Sequence, residues 1–157
     1  MVIFTDGSCL GNGKENSSGG FGVVVLDNNL NLIDAISHKE LFTTNNRMEL
    51  KAIAYAFIKY GSKTNPPLVY SDSAYCVNTF NDWMFRWEKN NWIKSDKKTP
   101  ENLDIIQTYY DWYKQGYRIN LQKVKGHSGV LWNEVADALA TGRMNPQEVM
   151  EKYGKKE

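Results

Sequence analysis

Pro66-Pro67-Leu68-Val69-Tyr70-Ser71-Asp72-Ser73 is the stretch whose reading decides the fold. Two prolines stop whatever precedes it, a short apolar run follows, and an acid and a serine then suit the start of a helix. The segment before it, from about Asn46 to Tyr60, places Leu50, Ile53, Ala54, Phe57 and Ile58 on one helical face at i, i+3, i+4, i+7 and i+8. A strand that follows a helix pairs in parallel with an earlier strand. The earlier strand is Met1–Thr5, a buried run that stops at Asp6. Parallel pairing of the two runs sets Asp6 beside Asp72.

Working outward, Ser8–Gly19 reads as a loop rich in Gly, Asn and Ser. Gly20–Leu26 and Asn31–Ser37 are β-rich runs parted by the turn signal Asp27-Asn28-Asn29, so the first three strands form an antiparallel meander. After Ser73 come a helix, a second helix over Asn81–Asn91, a basic loop to Thr99, and a helix opened by Pro100 that runs to about Gln115. Ile119–Val124 alternates like a fifth strand. Leu131–Thr141 is a helix with Val135, Ala136, Leu139 and Ala140 as its apolar stripe, and Asn145-Pro146 with Glu148 caps a short helix in the tail. The expectation is an α/β fold: a five-stranded mixed sheet, three antiparallel strands plus two parallel, flanked by helices. The main domain spans 1–142, and 143–157 is a C-terminal helical tail.

The chain has 157 residues, 41% apolar and 24% charged, which suits one globular domain with a real core. No apolar run approaches a membrane span, and Asp6 interrupts the N-terminal run too early for a signal peptide. The location expected is cytoplasmic. Cys9 and Cys76 are too few for a disulfide framework and share no ligand spacing with a histidine.

Each of four acids has a structural reading of its own. Asp6 precedes Gly7 in a turn-like pair, Glu49 lies three residues after Asn46 as in a capping box, Asp72 suits a helix N-cap, and Asp137 suits a solvent edge. Taken together they read differently. Adjacent carboxylates repel unless a proton or cation sits between them, and the carboxyl ends of parallel strands are where ligands bind in open α/β sheets. Carboxylate oxygens in convergence suit a hard cation such as Mg²⁺. His127, in Lys125-Gly126-His127-Ser128-Gly129, has the setting of a mobile proton carrier, or of a surface histidine bonded to backbone.

Net charge is +1, so partners must be sought in local charge. Arg86, Lys89, Lys94, Lys97 and Lys98 oppose only Glu88 and Asp96, and Trp83, Trp87 and Trp92 are interleaved with them. Cations among aromatics suit a nucleic-acid backbone with its sugars and bases. The alternative is a charged solvent face whose tryptophans point into the core.

Five motifs in order carry a family resemblance: Thr5-Asp6-Gly7-Ser8-Cys9-Leu10-Gly11-Asn12, Thr43-Thr44-Asn45-Asn46-Arg47-Met48-Glu49-Leu50, Ser71-Asp72-Ser73, Val124-Lys125-Gly126-His127, and Asn133-Glu134 with Asp137. Over residues 1–141 the chain resembles the type 1 ribonucleases H in their bacterial form. The resemblance implies a ribonuclease H-like fold and endonucleolytic hydrolysis of the RNA strand of RNA/DNA hybrids by two metal ions, leaving 5′-phosphate and 3′-hydroxyl ends. It implies two Mg²⁺ ions with substrate bound, with Mn²⁺ as an alternative. By the same resemblance Asp6 bridges both ions. Asp137 completes the site for the ion that activates water. Glu49 and Asp72 hold the ion at the leaving 3′ oxygen, with Glu49 near the ribose 2′-hydroxyl, and His127 assists proton transfer or product release.

Substrate contacts implied in the same way are Asn12, Asn45 and Asn46 in the minor groove, Thr44 and Asn102 at a DNA-strand phosphate, and Trp83, Trp87 and Ser95 along the DNA channel. Lys89, Lys94, Lys97 and Lys98 fall in the basic protrusion of the bacterial form. Three residues or segments depart from the pattern: Phe42 stands where some members carry a phosphate-binding arginine, Ala74 where a glutamine is common, and the loop Gly13–Ser18 is longer than usual. The chain starts directly at strand 1, so affinity is expected to rest on the protrusion. The partner expected is an RNA/DNA hybrid duplex, with no membrane, and the chain is expected to be a monomer. An inactive hybrid-binding module would have lost one of the four acids. A DNase or strand-transfer nuclease on the same fold accounts less well for Asn45-Asn46-Arg47-Met48-Glu49 and for the tryptophan-bearing protrusion.

Overall fold

Period-two burial sorts the strands before any helix is placed. In the computed structural model, which describes residues 1–12, 16–124 and 130–154, strand β1 (Val2–Leu10) turns Ile3 to one face of the sheet and Phe4 to the other. β2 (Ser18–Leu26) does the same with Val23 and Val25 against Val24 and Leu26. A strand apolar on both faces belongs in the middle of a covered sheet. The order is β3-β2-β1-β4-β5, with β3 (Leu32–Leu41) antiparallel to β2, and β4 (Leu68–Ser71) and β5 (Asn120–Lys123) continuing in parallel from β1. This is the mixed five-stranded sheet expected.

Helix α1 (Asn45–Tyr60) covers one face, and helix α4 (Leu103–Lys114) packs on α1, so that Leu50, Ile53, Phe57, Ile106 and Tyr109 share one core with Ile3, Val23 and Val25. Phe57, Tyr109 and Phe80 stack in series at centroid spacings of 4.1 and 4.0 Å. Helix α5 (Leu131–Thr141) covers the other face through Val135, Ala136 and Leu139. Helix α6 (Pro146–Tyr153) adds Val149, fully buried, and Tyr153 lies edge-on to Trp132. Asn145 caps α6 as expected, and with Glu148 it closes a capping box.

Several bounds differ from expectation for tertiary reasons. β1 runs on through Asp6-Gly7-Ser8 to Leu10 because β2 pairs with it throughout, Asp6 opposite Gly22 and Leu10 opposite Ser18. β3 reaches Leu41 by the same pairing. Helix α2 (Ala74–Asn78) passes through a π-helical turn, Thr79–Trp83, straight into α3 (Met84–Lys89), so the second helix of this region is not separate. The Thr79 hydroxyl donates to the Tyr75 carbonyl at 2.7 Å just where the ladder widens. α4 starts at Leu103 rather than at Pro100, since Asn102 sits in the left-handed region at φ 60°.

Candidate active site

Register fixes the first contact. Thr5 pairs with Ser71 in the parallel β1–β4 ladder, so the next residues on each chain, Asp6 and Asp72, stand side by side. Glu49 arrives from α1, which lies against the strand at Gly7: a Cβ there would sit 2.3 Å from the Glu49 amide nitrogen. Only glycine permits that approach. Carboxylate oxygens of Asp6, Glu49 and Asp72 all lie within 4.8 Å of one another.

The single-residue structural readings of these acids do not hold. Asp6 is mid-strand, not in a turn. The N-cap of α1 is Thr44, whose Oγ1 accepts from the Arg47 amide at 3.1 Å, so Asn46 lies inside the helix and Glu49 has no capping role. The N-cap of α2 is Ser73, whose Oγ accepts from the Cys76 amide at 3.2 Å, and Asp72 is again left over. Of Asp6's oxygens, Oδ1 accepts from the Gly7 amide at 2.9 Å.

Electrostatics follow from this crowding. Asp6 is 4% exposed. Burial, then the Asp72 charge, hold its carboxyl well above the usual carboxylate range. Glu49 is pushed up in the same direction by burial, then by Asp6 and Asp72. Glu49 Oε2 is buried with no hydrogen-bond partner among the described residues. Buried acceptors are nearly always satisfied, so an orphan here asks for a proton or a cation. The donor set is all oxygen, three carboxylates converge, and one of their oxygens has no partner among the described residues. That combination fits a hard divalent ion such as Mg²⁺.

Asp137 joins from α5. It lines a cavity of about 130 Å³ with Asp6, Asp72, Asn133 and Glu134, and raises the Asp6 carboxyl further after the larger causes named above. It lies outside the tight group of three, and its Oδ2 pairs with Arg143 Nη2. Asn133, 6% exposed, lines the same cavity, and its Oδ1 has no hydrogen-bond partner among the described residues. His127 lies outside the described residues.

The expected substrate contacts fall into two groups. At the start of α1, Asn12 Oδ1 accepts from the Asn45 amide at 2.7 Å, which ties the loop after β1 to the helix. Asn45 and Asn46 are exposed. Thr44 and Asn102 are brought together by Arg47, which donates its amide to Thr44 and Nη1 to Asn102 Oδ1 at 3.2 Å while forking onto Asp104 at 3.0 and 2.8 Å. Asn102 thus has its oxygen engaged and its amide N–H groups left for an acceptor.

The second group is a groove of about 520 Å³ walled by Tyr75, Trp83, Arg86, Trp87, Lys94 and Ser95. Tyr75 lies three residues past Asp72, so the groove begins one turn from the acids. Trp87 and Trp92 also pack against the core, which gives the core-facing reading of the tryptophans part of its due; Trp83 belongs to the groove. Lys89, Lys97 and Lys98 are exposed nearby but do not wall it. Arg47, Asn133 and Arg143 were not among the expected site residues. Arg47 and Asn133 lie inside motifs quoted above, whereas Arg143 carries no sequence signal.

A mixed sheet in this order, with acids side by side just past the last rung of the β1–β4 ladder, is the architecture of the ribonuclease H-like class. A family model described as RNase H matches residues 1–145. The ribonuclease H of Caldanaerobacter subterraneus subsp. tengcongensis is 43% identical over 144 residues, covering 90% of this chain and 88% of its own. Ribonuclease HI of Pasteurella multocida is 44% identical over 148 residues, covering 93% and 91%. Among solved structures, LC9-RNase H1, described as a type 1 RNase H with the type 2 active-site motif, superposes with a TM-score of 0.70 at 28% identity, over 94% of this chain and 74% of its own. The chain belongs to the RNase H family, and within it to the bacterial type 1 enzymes.

Proposed function

We propose that the protein hydrolyses the RNA strand of RNA/DNA hybrids endonucleolytically, with two divalent ions, leaving 5′-phosphate and 3′-hydroxyl ends. The observation that carries this reading is the convergence of Asp6, Glu49 and Asp72, from three separate elements, within 4.8 Å. Asp6, Glu49, Asp72 and Asp137 would hold the ions, Mg²⁺ by preference and Mn²⁺ as a substitute. Bound there, such ions neutralise charge on both the entering and departing oxygens of an in-line displacement and ease ionisation of the attacking water.

The protein's own groups do the rest. Burial of Asp6 and Glu49 keeps bulk water from screening the charges that gather at the phosphate. Glu49 faces the ribose 2′-hydroxyl, the group that marks the RNA strand. Asn12, Asn45 and Asn46 offer amides to the minor groove, and the exposure of Asn45 and Asn46 supports this. Thr44 and Asn102, clasped by Arg47, offer donors to a phosphate of the DNA strand. The groove walled by Trp83, Trp87, Lys94 and Ser95 takes the same strand further along, with Lys89, Lys97 and Lys98 adding charge. His127 moves a proton or eases product release.

These contacts read backbone, sugar and shape, so cleavage has little sequence preference. The catalytic unit is 1–142, with 143–157 as a C-terminal helical tail, acting as a cytoplasmic monomer. Among the described residues no helix is long and apolar enough to cross a membrane. The test is a panel of labelled RNA/DNA, RNA/RNA and DNA/DNA duplexes, each with Mg²⁺ and with EDTA. Cleavage restricted to the RNA of the hybrid and abolished by EDTA is expected. Cleavage of DNA/DNA would favour a DNase on this fold, and binding without cleavage an inactive hybrid-binding module.

A further inference from the structure

Asp137 differs from the other three acids in one respect. Among the described residues, no lysine, arginine or histidine forms an ion pair with Asp6, Glu49 or Asp72. Asp137 is paired with Arg143, Nη2 on Oδ2. The local chain is shaped for it. Gly142, at φ 79°, reverses the backbone at the end of α5, and the Met144 amide donates back to the Ala138 carbonyl at 3.2 Å. Arg143 is thereby folded over the last turn of the helix. Its Nε donates to Thr141 Oγ1 at 3.0 Å, and that hydroxyl donates to the Asp137 carbonyl at 3.0 Å. The carboxylate that Arg143 holds opens on the cavity shared with Asp6 and Asp72.

We propose that Arg143 is a resident competitor for the divalent ion at Asp137, and that it sets how much metal the site needs. The proposal rests on the metal-site reading above. A carboxylate oxygen occupied by a guanidinium must give it up, or bear its repulsion, when a divalent ion arrives. Whatever stabilises the paired state is subtracted from the affinity for the ion. Arg143 also adds a positive charge beside the cavity, which acts in the same direction. Both side chains are partly exposed, at 63% and 45%, so the effect is small: ~2- to 5-fold in apparent metal affinity, the range of exposed ion pairs. The weaker metal position is the one affected, because the group of three acids has no such competitor.

The test uses the full chain without nucleic acid. Binding of Mn²⁺ is followed by the loss of its free-ion electron paramagnetic resonance signal, for the wild type, Arg143→Ala and Arg143→Lys. Expected is tighter binding at the weaker position in Arg143→Ala by ~2- to 5-fold, a smaller change in Arg143→Lys, and a difference that shrinks as salt is raised. Equal or weaker binding by Arg143→Ala overturns the proposal and makes Arg143 a structural partner of Asp137. If the wild type takes up no Mn²⁺ at all, the metal-site reading fails and this inference with it. A wild type that binds Mn²⁺ indistinguishably from Arg143→Ala sinks only the role of Arg143.

Discussion

Glu49 Oε2 is a buried acceptor with no hydrogen-bond partner among the described residues, and Asp6 is a buried acid beside Asp72. Both carboxyls hold their protons to higher pH in the folded state than in the unfolded chain. The sign of the linkage follows. Their stabilising share is complete below the ordinary carboxylate range and is lost as pH rises from ~4 toward the raised folded values. Metal-free protein is therefore penalised at neutral and mildly alkaline pH, and a divalent ion relieves the penalty by binding only the folded state. Asp6→Asn should melt close to the wild type near pH 4. In EDTA at pH 8 it should be more stable by about 1–3 kcal/mol, the scale of a buried group relieved of an unmet partner. Thermal melts at the two pH values check this, and a difference that does not grow with pH would refute it.

Elements carry these residues to the site, and they were unevenly readable. β4 was plain because Pro66-Pro67 and Asp72 bracket a four-residue strand, and α5 because its apolar stripe has the helical period. The length of β1 was hidden: Asp6-Gly7-Ser8 looks like a turn, and only pairing with β2 keeps it extended. The start of α1 was misplaced: the spacing of Asn46 and Glu49 looks like a capping box, whereas the cap is Thr44. The choice matters, because with Thr44 as the cap Glu49 is free for chemistry. Arg143 on Asp137 depends on how the chain turns after α5, which no periodicity records. Two stability predictions belong here. Thr44→Ala should cost about 1 kcal/mol through the lost cap. Val149→Ala should cost about 2 kcal/mol, because α6 is part of the core around Leu32 and Leu139. Denaturant melts measure both, and a neutral Val149→Ala would mean that α6 does not stabilise the sheet.

At the scale of the molecule, a net charge of +1 does not draw in a polyanion, so attraction must come from where the cations sit. The groove past α2 and the exposed Lys97 and Lys98 beside it concentrate them within reach of the acids. Charge reversal at Lys97 and Lys98 should raise KM for an RNA/DNA hybrid more than it lowers kcat, and should flatten the dependence of KM on salt. Steady-state rates at several salt concentrations test this, and an unchanged slope would remove the protrusion from the binding surface. The fold and the acids were legible from sequence because each lies in a short local motif. The clasp of Thr44 and Asn102 by Arg47 was not, since it joins residues from α1 and from the turn before α4 that only packing brings together.

Single-turnover cleavage of an RNA/DNA hybrid in Mg²⁺ by Asp6→Asn, Glu49→Gln, Asp72→Asn and the triple variant tests the convergence of the acids most directly. If the three side chains work as one site, each single variant loses ~10²- to 10³-fold or more and falls nearly as far as the triple. A single variant that keeps the wild-type rate, or losses that simply multiply across the set, would show that the acids act separately and would contradict the account.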